Sequence, residues 1–202
     1  MVSAILSWPF RNRPARAAAG YAVQAVRRAR RFVQARGGSA AMEFAFIAPP
    51  FFLLLFSLFE VGTTYLAGGA LQNAANETAR LIRTGQVQAG SMTQAQFRTQ
   101  VCARLSADIM PCDQRLKIDV RRYTSFGGVN PPNALDGSGN WMTDFRFEPG
   151  AACDIVLVRL FYQWSTLTPG LGAAFANVQV GEGLLLQASA AFRNEPFTGT
   201  VC

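Results

Sequence analysis

Histidine is absent from all 202 residues. That removes Ser–His and Cys–His dyads and the imidazole metal ligands in one stroke. The four cysteines, Cys102, Cys112, Cys153 and Cys202, include no C-x-x-C pair, so a zinc site is disfavoured, and neither a metal nor a cofactor is expected. Acidic residues are absent from positions 1–38, which hold eight arginines. Of the 19 basic side chains, that leaves 11 for the remainder, against all 12 acidic ones. The net charge of +7 therefore belongs to the N-terminal tail, and the body is nearly neutral. A folded nucleic-acid-binding domain needs a basic face interleaved with polar and aromatic contacts. The body has none, so no nucleic-acid partner is expected. No Glu/Asp pair has a spacing suited to acid–base work. "DGSGN" at 136–140 lacks the remaining ligands of a calcium loop and reads as an ordinary turn. An enzyme is not expected.

Charge is also missing from Phe44–Phe59, a run of 16 residues, and between Ser39 and Leu71 the only charges are Glu43 and Glu60. A bilayer core about 30 Å thick takes roughly 20 helical residues. The run and its uncharged flanks supply them. Arginines on one side and a neutral-to-acidic body on the other fix the orientation: the tail is cytoplasmic and residues 72–202 lie outside. All four cysteines fall on the exported side, where an even count suggests disulfides. Pairing by neighbourhood gives Cys102–Cys112 and Cys153–Cys202, although sequence alone permits three connectivities. In the chain-entropy model the two loops contribute about 3 and about 4 kcal/mol.

The tail over 21–35 can form a basic amphipathic helix on an anionic membrane surface, or a solvated leader. Pro49 and Pro50 predict a kink near 46–50. Beyond the apolar run, Leu71, Ala74, Ala75, Thr78, Leu81 and Ile82 recur at helical spacing, with polar residues between them. One helix is thus expected to leave the membrane as an amphipathic stalk and to end at Gly85. A second helix is predicted over Thr93–Ile109, where Phe97, Val101, Leu105 and Ile109 are spaced by four and Pro111 stops it. Strands are predicted at "LKIDVRRY", at "CDIVLVRLFYQW" (apolar enough for a central strand) and at "LLLQASAAF", with "DFRFEP" as a short edge strand. Residues 126–140, rich in Gly, Pro and Asn, read as an exposed loop. The fold class is α+β: a long N-terminal transmembrane and amphipathic helix, then a small antiparallel sheet that packs on the 71–82 face. The domain organisation expected is a basic leader over 1–38, the helix over 39–85 and an exported α+β domain over 86–202.

Gly38 followed by "SAAMEF" resembles the prepilin-peptidase site of type IV pilins and pseudopilins. "AMEFAFIAPPFFLLLFSLFEVG", "ALQNAANETAR" and the closing "ASAAFRNEPF" resemble the TadE-like family of the tight-adherence (Flp) pilus system, most sharply over 36–84. The architecture is also pilin-like. The resemblance implies a minor pseudopilin, cut after Gly38 to leave Ser39 as the new N-terminus, with Glu43 and Phe44 as the processing and assembly motif. Glu60 is the family's second glutamate and a helix-interface candidate. A carboxylate in a membrane segment costs about 2.5–3.5 kcal/mol on insertion scales unless neutralised or held at the interface, and the α-amine at Ser39 is a suitable partner for Glu43. The partners implied are a prepilin peptidase, other Tad pilins and pseudopilins, the inner-membrane Tad assembly platform and membrane lipid. The location implied is a bacterial inner membrane, single-pass, with a periplasmic C-terminal domain, or the pilus itself. Priming, capping and assisting the fibre all fit, and TadF- or TadG-like roles are near relatives. The rival reading is an exported domain, either anchored and uncut or released by signal peptidase after Ala70.

Overall fold

The computed structural model describes residues 27, 30, 38–166, 179–180, 183–197, 199 and 201–202. The helix expected over 21–35 therefore lies outside the described residues, Arg27 and Arg30 excepted. The chain forms two units, residues 1–52 and 53–202.

Helix α1 runs from Ser39 to Arg83, through Pro49 and Pro50, and contributes to both units. Each proline leaves one carbonyl a turn earlier without its helical N–H partner. In the first unit, Met42, Phe44, Phe46, Ile47 and Phe51 are all exposed. In the second unit the helix changes character at Ala67. Leu53, Leu54, Phe56, Leu58 and Phe59 before it are exposed, whereas Ala67, Leu71, Ala74, Ala75, Thr78, Ala79 and Ile82 are buried. The apolar residues there recur every three or four positions, which gathers them on one face. Thr78 is tolerated in that face because its hydroxyl donates to the Ala74 carbonyl at 2.7 Å. Past Arg83, Gly85 takes φ 77°, and a Cβ there would also come within 2.7 Å of the Phe197 ring. Only glycine satisfies both conditions without strain.

Two short helices follow, α2 (Gln86–Ala89) and α3 (Gln94–Cys102). Thr93 and Gln96 form a reciprocal capping box at the start of α3, which satisfies two N–H groups that the first turn cannot. α3 is shorter than its spacing predicts. It stops at Cys102, which is bonded to Cys112, and the chain continues in turns. Met110, not Ile109, completes the buried set with Phe97, Val101 and Leu105.

The sheet comprises β1 (Leu116–Tyr123), β2 (Ile155–Trp164), β3 (Gln179–Val180) and β4 (Gly183–Arg193). The order is β1-β2-β4-β3, and every pairing is antiparallel. β2, the apolar run, is central and buried on both faces. Side chains alternate across a strand. One face brings Ile118, Val120, Val156, Val158, Leu160 and Ala188 into the same core as Leu71, Ala75 and Ile82. Gln72 of α1 also closes part of β4, donating to the Ser189 carbonyl and accepting from the Ser189 N–H. The part of β4 beyond the short β3 is thereby supplied with partners it would otherwise seek outside.

The opposite face carries a second layer. Residues 126–148, expected in part as an exposed loop, lie over it: Trp141, Phe145 and Phe161 form a three-ring cluster with centroids 6.1–6.5 Å apart. "DFRFEP" supplies one parallel bridge, Val120 to Phe147, and not a strand. Within this layer, residues 126–140 remain largely exposed, with Ala134 buried.

Candidate functional site

Gly38 is exposed and stands immediately before α1. A Cβ added there would meet nothing within 4 Å. Ser39 begins the helix. Glu43 and Phe44 follow in its first two turns, both exposed. The first unit thus presents a glycine, a helix start, a carboxylate and an apolar surface in succession. Pro49 and Pro50 lie within that same helix.

Glu60 behaves differently. It is 2% exposed, the one buried residue among positions 53–66. Its carbonyl accepts from the Thr63 and Thr64 hydroxyls at 3.1 and 2.8 Å, and Ser57 donates to the Leu53 carbonyl. Hydroxyls folded back on their own helix need no outside partner, which suits a helix surrounded by hydrocarbon. α1 is long and apolar enough to cross a membrane. The helix-interface role expected for Glu60 comes from the resemblance and from its position near the end of the apolar run.

The cysteines pair as neighbours: Cys102 with Cys112 at a Cα separation of 5.7 Å, and Cys153 with Cys202 at 5.4 Å. The second bond ties the C-terminal residue to the segment entering β2.

One cluster escaped the sequence reading altogether. Asp119 is fully buried, and its carboxylate accepts from Arg121 Nε at 2.9 Å and Arg159 Nη2 at 2.5 Å. It also accepts from the Arg146 backbone N–H at 2.9 Å. Arg159 in turn donates to the Pro132 carbonyl at 2.7 Å, and Arg121 donates to the Asp144 carbonyl. Asp144 is held below the usual carboxylate range by its hydrogen bonds from Arg146 and then Arg121. The cluster fastens the covering layer to the sheet. The available signal was an arginine in the middle of an apolar strand, since a buried charge is almost always paired. At Asp136 the turn reading fits: Oδ1 accepts from the Ser138 and Asn140 N–H groups at 2.8 Å.

The model of the family described as TadE-like protein matches residues 38–80. No curated protein and no solved structure matches the chain. The matched stretch begins at the accessible glycine, contains Glu43 and Glu60, and ends inside the part of α1 that packs on the sheet. Over that stretch the chain is similar to the TadE-like family, whose general context is the Tad pilus system.

Proposed function

We propose that this protein is a minor pseudopilin of the Flp (Tad) pilus, cut by a prepilin peptidase after Gly38. The arginine-rich tail holds the precursor with its N-terminus in the cytoplasm. α1 then anchors the trimmed protein in the inner membrane among other pilin helices, and the α+β domain projects into the periplasm, where its disulfides form. The protein acts by assembly and not by catalysis. The observation that carries this reading is the start of the family match at Gly38, an unobstructed position at the mouth of an apolar helix. Glycine offers no side chain to block an approaching peptidase. After cleavage the Ser39 amine is four residues from Glu43, on the same subunit or a neighbouring one, and neutralises a carboxylate that would otherwise cost about 2.5–3.5 kcal/mol in the bilayer.

Release by signal peptidase after Ala70 is the less favourable reading. It would cut inside α1 and place a charged amine on Leu71, which is fully buried in the core.

The test is the N-terminal residue of the membrane-bound protein, read by sequencing or intact mass, with and without the cognate peptidase. Ser39, appearing only when the peptidase is present, is the expected result. Leu71, or an uncut Met1 in both samples, would remove the pseudopilin reading. Glu43→Ala is expected to spare export yet impair pilus assembly, and normal pilus numbers in that variant would argue against the role given to Glu43.

A further inference from the structure

A bilayer core takes roughly 20 helical residues, and a count from Phe44 ends near Thr63. Tyr65 and Leu66, 81% and 76% exposed, therefore leave the helix at the level of the outer headgroups. Tyrosine is a common resident of that level, with an apolar ring and a wet hydroxyl. α1 joins the core of the second unit only at Ala67. Any part of that unit that reaches back to the level of Thr63–Leu66 thus stands at the membrane surface.

One segment does. After α3, the Ser106 carbonyl accepts from both the Ile109 and Met110 N–H groups. This tight turn sends Met110 into the core and leaves Ile109 63% exposed. A single exposed isoleucine is ordinary, but this one lines a cleft of about 440 Å³ together with Leu66, Ala67, Ala70, Met110 and Trp164. Leu66 also lines an apolar groove with Leu55, Leu58 and Phe59, so the surface is continuous from the membrane-crossing face of α1 into the cleft. Contiguous apolar surface on that scale marks a contact, and its continuity with the lipid-facing helix says with what. Asp108, exposed beside Ile109, keeps the insertion at headgroup depth.

We propose that the turn over 106–110 and the cleft behind it form a second membrane contact. Ile109 inserts into the outer leaflet, and the cleft takes the upper part of a phospholipid acyl chain. This contact rests on the reading of α1 as a transmembrane helix. It fixes the tilt of the sheet domain on the bilayer, because a helix alone leaves that angle free.

The experiment is nitroxide labelling of the full chain in vesicles of phosphatidylethanolamine and phosphatidylglycerol, at Ile109→Cys, Phe56→Cys and Ser138→Cys. The native cysteines are paired and leave the label a single target. Collision with oxygen, which partitions into lipid, is compared with collision with a water-soluble nickel complex. The expected oxygen-to-nickel ratio is highest at position 56, several-fold lower at 109, and several-fold lower again at 138. A ratio at 109 equal to that at 138, with 56 in lipid, overturns the contact and leaves the span intact. Protection of 109 from both quenchers means that a protein partner or a second copy fills the site, and also overturns the proposal. A water-like ratio at 56 overturns the span, and the contact with it.

Discussion

Asp119 shows how much can rest on one carboxylate. It is enclosed by two guanidinium groups and a backbone N–H, and each of those donors is itself anchored. Removing one member of a buried ion cluster leaves the others desolvated without compensation, at a cost of about 3–5 kcal/mol. Asp119→Ala is therefore expected to lower the thermal midpoint of the second unit far more than loss of the exposed Arg83–Glu195 pair, for which Arg83→Ala is the control. Equal midpoints for the two variants would mean that the cluster contributes little. Gly38 is the opposite case. Because a side chain there meets nothing, Gly38→Leu is expected to leave folding and membrane insertion unchanged while abolishing the Ser39 N-terminus. Intact mass and circular dichroism on the same sample separate the two effects. Asp119's place shows only once the strand pairing brings Arg159 to it, while the cleavage role proposed for Gly38 rests on its neighbours along the chain.

At the scale of elements, α1 and the central strand were legible and the covering layer was not. Leu71, Ala74, Ala75, Thr78, Leu81 and Ile82 were readable as a face because helical periodicity is local; all are buried except Leu81, which is partly so. β2 was readable because a nearly unbroken apolar run suits a strand covered on both sides. α3 was read too long, since the fourfold spacing ran on to Ile109 while the chain had already turned at Cys102. Residues 126–140 were read as an exposed loop, and all of them but Ala134 are exposed or partly exposed; the grip on 126–148 from Arg159, Arg121 and ring contacts was not readable because those partners are distant in sequence. That grip has a pH dependence. The hydrogen bonds from Arg146 and Arg121 depress the folded pKa of Asp144, so its contribution is complete above the unfolded value of about 3.9 and is lost as the pH falls through the lower folded value. Thermal midpoints measured downward from pH 5 should fall for the wild type, and Asp144→Asn should flatten the part of that fall lying below about pH 4. An unchanged slope would show that Asp144 is not what holds the layer.

For the whole molecule, the two disulfides bear most directly on stability. The Cys153–Cys202 bond spans 49 residues and Cys102–Cys112 spans 10, so loop-closure entropy assigns about 4 and about 3 kcal/mol respectively. Cys153→Ser with Cys202→Ser is expected to destabilise the second unit more than Cys102→Ser with Cys112→Ser. Denaturant unfolding in detergent checks the order, and the reverse order would point to local packing around Cys102 as the larger effect. The sequence by itself determined the class of this protein: the charge asymmetry, the apolar run long enough for a bilayer, the glycine and glutamate spacing before it, and the amphipathic continuation after it. These are local or compositional properties, and a linear chain displays them directly. Only the tertiary structure decided that Arg159 meets Asp119 across forty positions, that Glu60 is buried, and that Ile109 stands out beside the apolar end of α1. Those outcomes depend on strand register and on which faces meet, and neither is written in any single stretch of residues.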